Sequence, residues 1–135
     1  MIKYIEMLKK IKGAFQESEF FPPASVEKID KYAQEKNIYI PQSYKELLIH
    51  TNGCELFGRY AILYGINNFP KPSIGYDFSN GLVPKEYLIL GFMNSKHICY
   101  SKKKDAFFFF EYEEPSQYYN DFSEILDYII DICTN

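Results

Sequence analysis

Residues 40–65 constrain this chain more than any other stretch, because they mark both ends of a helix and lead directly into a strand. Pro41 sets φ near the helical value and gives up only an N–H for which a first-turn residue has no partner. Tyr44, Leu47, Leu48 and Thr51 follow at i, i+3, i+4 and i+7, which is one face of a helix. Asn52-Gly53 joins the two residue types that best tolerate a left-handed backbone, so the helix is predicted to stop there. The apolar run 60–64, closed by Gly65, has the length of a strand.

The segments on either side read as packing added to this unit. Tyr4, Met7, Leu8, Ile11 and Phe15 recur at helical spacing and predict an amphipathic helix over 2–16, weakened in its last turn by Gly13. Pro22-Pro23 forbids a helix, Ser25 is placed to cap the next one, and Asn37 to end it. Residues 66–85 hold Pro70, Pro72, Pro84, Gly75 and Gly81, and read as a long ordered loop with a short helical turn around 76–80. Such a loop is a candidate contact surface or small-ligand groove. Three apolar runs follow, 87–91, 97–101 and 107–112, separated by Asn94-Ser95-Lys96 and Lys102-Lys103-Lys104-Asp105. They predict an antiparallel meander. The four phenylalanines 107–110 alternate between faces, so that strand is expected to be covered on both sides. Left uncovered at its edge, it leaves room for a homodimer. Asp121-Phe-Ser-Glu124 has the form of a capping box opening a closing helix. The expectation is one α+β domain over 1–135, with a helix and link in 1–21 and a core in 22–135.

Charge and cysteine usage exclude several classes of function. The formal net charge is −3, which argues against direct nucleic-acid binding. Lys3 and Glu6 interrupt the first apolar run, so no signal peptide is expected, and no stretch approaches the roughly 18 apolar residues of a membrane span. Three cysteines without C-x-x-C spacing then read as reduced thiols of a cytosolic protein. His50 and Cys54 are separated by the helix stop; His97 and Cys99 share a strand face but lack a third orienting group. Two histidines and scattered cysteines do not make a metal site, and the glycines form no phosphate loop. No cofactor, metal or catalytic residue is expected. The lysines 102–104 read as a solvated turn, with phosphate contact as the sharper alternative.

The acids are distributed unevenly. No Lys or Arg follows residue 104, whereas Asp105, Glu111, Glu113, Glu114, Asp121, Glu124, Asp127 and Asp131 all lie beyond it. Within this segment Glu111, Glu113, Glu114, Tyr118, Tyr119 and Asp121 mix carboxylates with tyrosines, as in a surface that meets a basic protein. With 13 Tyr and 12 Phe in the chain, the alternative is that these tyrosines fold back onto an aromatic core.

The opening unit resembles the signature of the SUKH superfamily, which includes bacterial immunity proteins and relatives of the yeast cell-wall synthesis regulator. The resemblance rests on Ile40-Pro41, Tyr44-Lys-Glu-Leu-Leu48, Asn52-Gly53, Leu56-Phe-Gly58 and Leu63-Tyr-Gly65, and on later landmarks at 88–91, 98–100 and 122–126. Pro41, Tyr44, Leu48, Asn52, Gly53, Gly58 and Gly65 are its structural positions. Ala33 stands where members often carry an acid, and Asn37 where they carry glycine. The resemblance implies a twisted, largely antiparallel sheet flanked by helices. It also implies a non-catalytic immunity protein that occludes a cognate toxin domain, frequently a nuclease, in the cytoplasm. A regulatory adaptor binding a protein or small ligand is the alternative.

Overall fold

The computed structural model describes residues 1–11, 17–68, 70–79, 81–112 and 114–134. The order is α1 (Ile2–Lys10), β1 (Glu19–Phe20), α2 (Val26–Lys36), α3 (Gln42–Leu48), β2 (Cys54–Leu56), β3 (Ala61–Leu63), β4 (Tyr87–Met93), β5 (Lys96–Ser101), β6 (Ala106–Glu111), β7 (Glu114–Pro115) and α4 (Phe122–Thr134). All seven strands form one sheet in chain order, every neighbouring pair antiparallel. The fold is therefore the expected α+β meander with helices before and after it.

Local chemistry sets most boundaries. The Ser25 side chain accepts from Lys28 N–H at 3.2 Å, and Asn37 closes α2 in the left-handed region at φ 54°. The β4–β5 hairpin turns on Asn94 and Ser95, both at positive φ, so Lys96 belongs to the strand rather than to the turn. Helix α1 is shorter than its apolar spacing predicts. Ile11 is already extended at ψ 131°, and residues 12–16, with Gly13 and Phe15, lie outside the described residues. Around 76–79 there is no helical turn; Asp77 instead accepts from Ser79 N–H at 2.7 Å and from Gly81 N–H at 3.2 Å. The hydrogen-bonding carboxylate offers this backbone a local alternative to helix.

The stretch 40–65 departs from expectation in detail. Pro41 precedes the helix as its cap residue, at ψ 149°, and its carbonyl accepts from Lys45 N–H at 2.9 Å. The helix ends at Leu48, and only Gly53 of the Asn-Gly pair is left-handed, at φ 87°. Asn52 has another task. Its side-chain amide donates to Ile66 O and accepts from Ile66 N–H, both at 2.8 Å, acting as one more strand partner for the chain leaving β3. This needs Gly65, where an added Cβ would stand 2.2 Å from Asn52 O. Eight residues earlier, the fully buried Tyr44 hydroxyl lies 2.5 Å from Tyr64 O and 3.1 Å from Leu90 O. Its ring meets Phe122 edge-on at 4.7 Å, which ties α3 to β3, β4 and α4 at once.

The four phenylalanines divide between two faces, as their alternation predicts. Phe107 packs on Phe122 at 5.4 Å and Phe109 on Tyr128 at 5.0 Å, under α4. Phe108 and Phe110 face the other way, onto Tyr87, at 4.8 and 6.2 Å. The loop 66–85 covers part of this second face: Phe78 lies 5.4 Å from Phe92, and Ile74 and Val83 are buried.

Two substitutions test this anchor. Tyr44→Phe is expected to lower stability by about 1–3 kcal/mol, because Tyr64 O loses its donor inside the core. Gly65→Ala is expected to cost more, because the new methyl would stand 2.2 Å from the backbone oxygen of Asn52 and 2.5 Å from the Oδ1 that holds Ile66. Urea denaturation midpoints measure both; a wild-type midpoint for Gly65→Ala would show that the close approach is not needed.

Candidate functional site: an acidic aromatic edge

The segment after β6 folds back along it. Tyr112 takes positive φ (55°), and Glu111 and Glu114 then stand opposite each other, as do Phe110 and Pro115. Beyond them Ser116 N–H donates to Phe109 O at 2.7 Å, and Phe109 N–H donates to Ser116 Oγ at 2.9 Å. Phe107 and Tyr119 exchange both backbone bonds, each at 2.7 Å. The outer side of β6 is thus bonded along its length by residues 114–119. The open strand edge that left room for a homodimer is closed, and the sheet ends instead in two residues, one of them a proline.

The expected contact residues separate into groups. Glu114, Tyr118 and Asp121 are exposed, Glu111 and Tyr119 are half-buried, and Glu113 lies outside the described residues. Tyr118 rests on Phe108 (5.3 Å) with the Lys104 ammonium over its ring (5.2 Å), whereas Tyr119 lies near Phe109 (6.3 Å) on the opposite face. The two tyrosines therefore serve different surfaces. Asp121 is engaged at the start of α4: its carboxylate accepts from Ser123 N–H at 3.0 Å, and Glu124 reaches back to Asp121 N–H at 3.1 Å. This is the capping box, formed as expected. Helix α4 adds Asp127 and Asp131 to the exposed acids of this edge, and Tyr112, 88% exposed, stands at its tip. The exposed tyrosine at the turn was legible only as part of the strand 107–112.

Other candidate chemistry is disarmed by burial. Cys54 and Cys99 are fully buried, and burial pushes both thiols far above their ordinary range. Among the described residues no hydrogen bond joins a cysteine to a histidine, and no cluster of three His, Cys, Asp or Glu side chains suits a metal ion. His97 lies against Phe92 and Phe78, its Nε2 buried, without a hydrogen bond, and 3.7 Å from Asp77 Oδ1. Burial holds it below the usual histidine value, although Asp77 pulls the other way. For Asp77, burial opposes the charge, but hydrogen bonds from Ser79 and Gly81 outweigh it and keep the carboxyl below its ordinary range. A cleft of about 530 Å³ lies elsewhere, between the end of α2 and the start of β4, and Ala33 and Asn37 both line it. Among the described residues no helix is long and apolar enough to cross a membrane.

A family model described as SMI1 / KNR4 family (SUKH-1) matches residues 23–128, in agreement with the resemblance expected from residue 22 onward. No curated protein matches the chain.

Two measurements follow from the burial of these groups. Because the unfolded chain takes up the His97 proton at about pH 6.5 and the folded chain only below that, stability is expected to fall as pH drops through 6.5. His97→Gln should flatten denaturation midpoints between about pH 5 and 6.5, leaving the Asp77 contribution to disappear at still lower pH. Iodoacetamide at pH 8 should leave Cys54 and Cys99 unmodified until urea unfolds the chain; rapid alkylation of either in the folded protein would restore it as a nucleophile.

Proposed function

The chain belongs to the SMI1 / KNR4 family (SUKH-1), and on that footing we propose that it is an immunity protein that neutralises a cognate toxin domain by covering it. The observation that carries this reading is the row of exposed carboxylates along the β7–α4 edge, with Lys96 and Lys104 at its flank. All 15 basic side chains precede residue 105, while the β7–α4 edge exposes Glu114, Asp121, Glu124, Asp127 and Asp131. Carboxylates on such an edge occupy the positions that phosphates take on a basic nuclease, and long-range attraction speeds encounter. Tyr112 and Tyr118 supply exposed aromatic area beside them, the residue type that anchors interfaces. The half-exposed Tyr118 is already held by Phe108, so it gives up little conformational freedom on binding.

A regulatory adaptor is the second reading, favoured by the cleft of about 530 Å³ that Gln34, Tyr39, Lys85, Tyr100 and Lys102 line. The Lys102 ammonium lies over the Tyr39 ring at 5.3 Å, so an acidic ligand would suit it.

The two readings place the partner on different surfaces. In cells producing a toxin domain that this chain protects against, Glu113→Lys with Glu114→Lys is expected to reduce protection and slow association about tenfold or more at low salt. Tyr39→Ala with Lys102→Ala is expected to leave protection intact. Wild-type protection by the double charge reversal would remove the acidic edge as the contact.

A further inference from the structure

Three aromatic rings and two carboxylates meet in one cavity at this edge. Phe109, Tyr119 and Tyr128 line a space of about 340 Å³, with centroids 5.0 Å apart for Phe109–Tyr128, 6.3 Å for Phe109–Tyr119 and 6.5 Å for Tyr119–Tyr128. Glu111, Glu114 and Lys96 complete the lining of charged groups. The volume falls within the range of sites that hold a ligand or an inserted side chain.

The charge in this lining is unbalanced. Glu111 and Glu114 are cross-strand partners, an arrangement that sets like charges directly opposite and destabilises the ladder on its own. Lys96 brings one ammonium against two carboxylates, and among the described residues neither carboxylate is closed into an ion pair. Aromatic side chains carry negative charge density on their ring faces, which favours a cation with a flat, weakly hydrated surface. Guanidinium fits that description better than ammonium: it stacks on rings and donates to two carboxylates from one plane.

We propose that this cavity receives an arginine side chain of the partner protein, with its guanidinium against Phe109, Tyr119 and Tyr128 and its N–H groups donating to Glu111 and Glu114. The assignment rests on the toxin-binding reading for the identity of the partner, but not for the chemistry of the cavity. Lys96, on the same lining, is a cation that competes with an incoming guanidinium for the space.

The full-length chain is titrated with acetyl-Gly-Arg-Gly-amide, and with the peptide carrying citrulline, the neutral isostere, while backbone amide NMR signals are followed. Saturable shifts are expected at Phe109, Glu111, Ser116 and Tyr119, with the citrulline peptide weaker by about tenfold or more. Glu111→Gln with Glu114→Gln is expected to lose the preference for arginine at a urea midpoint equal to or above that of the wild type, because the facing like charges are removed, and Lys96→Ala to tighten arginine binding. Equal binding of the two peptides, no response to the double Gln variant, or shifts spread along the α4 acids without saturation would each overturn the assignment. No toxin is needed for this titration. A silent titration alongside lost protection by the charge-reversed variant overturns the arginine cavity and leaves the toxin reading in place. Saturable, arginine-selective binding upholds the cavity even where the neighbouring toxin domain fails to co-purify.

Discussion

The backbone that leaves β3 is held by two polar side chains from the α3 segment, and the placement of the long loop depends on them. A strand of three residues ends at Leu63; Tyr64 N–H still donates to Leu90 O of β4 at 2.8 Å, but Tyr64 O and both Ile66 groups leave the sheet inside the protein without a ladder partner. An unmet buried carbonyl or amide costs about 1–3 kcal/mol. Tyr44 supplies the donor for Tyr64 O, and Asn52 meets both Ile66 groups with one amide. Gly65 lets the two segments approach until no side chain fits between them. From there the chain is committed: Ile74 N–H donates back to Gly65 O at 2.9 Å and Gly75 N–H to Ile89 O at 2.8 Å, which lays the loop along β4. The loop in turn brings Phe78 over the second face of the sheet.

This anchor explains what was legible in the sequence and what was not. Features written in a few consecutive residues could be read: the Ser25 cap, the Asn37 stop, the Asp121–Glu124 box and the alternation of Phe107–Phe110. Strands of two or three residues carry no period, so β1, β2 and β7 had no signal of their own; their partners supply the pairing. Asn52 was misread for the same kind of reason. Locally it is a residue that tolerates a left-handed turn, but its amide serves a backbone 14 positions away. Among the contact residues, Tyr118 and Tyr119 are adjacent in sequence, and strand alternation carries them to opposite faces. The acidity of the edge was visible, whereas the contribution of Phe109 and Tyr128 to one cavity came only from α4 crossing β6.

The same construction bears on why this edge can be exposed at all. Strand edges invite pairing with other chains, and a strand of four phenylalanines would be a dangerous one. Here residues 114–119 bond the outer side of β6, partly through a serine hydroxyl in place of a backbone group, and Pro115 removes a donor from the outermost row. Carboxylates then line the solvent side. What remains exposed at the edge is side-chain chemistry rather than unpaired backbone, which favours selective recognition over indiscriminate strand addition.

A protein that works by covering another must present its surface without refolding, since ordering a loose segment on binding subtracts from affinity. On the acidic edge, four side chains are held in place. Tyr118 is set by Phe108, Tyr119 by its backbone exchange with Phe107, and Asp121 and Glu124 by the first turn of α4, whose Phe122 contacts Tyr44. The path from the Tyr44 hydroxyl to the exposed carboxylates therefore runs through one ring contact and one capping box. The demands of the fold and those of recognition can thus be met by different faces of the same few residues.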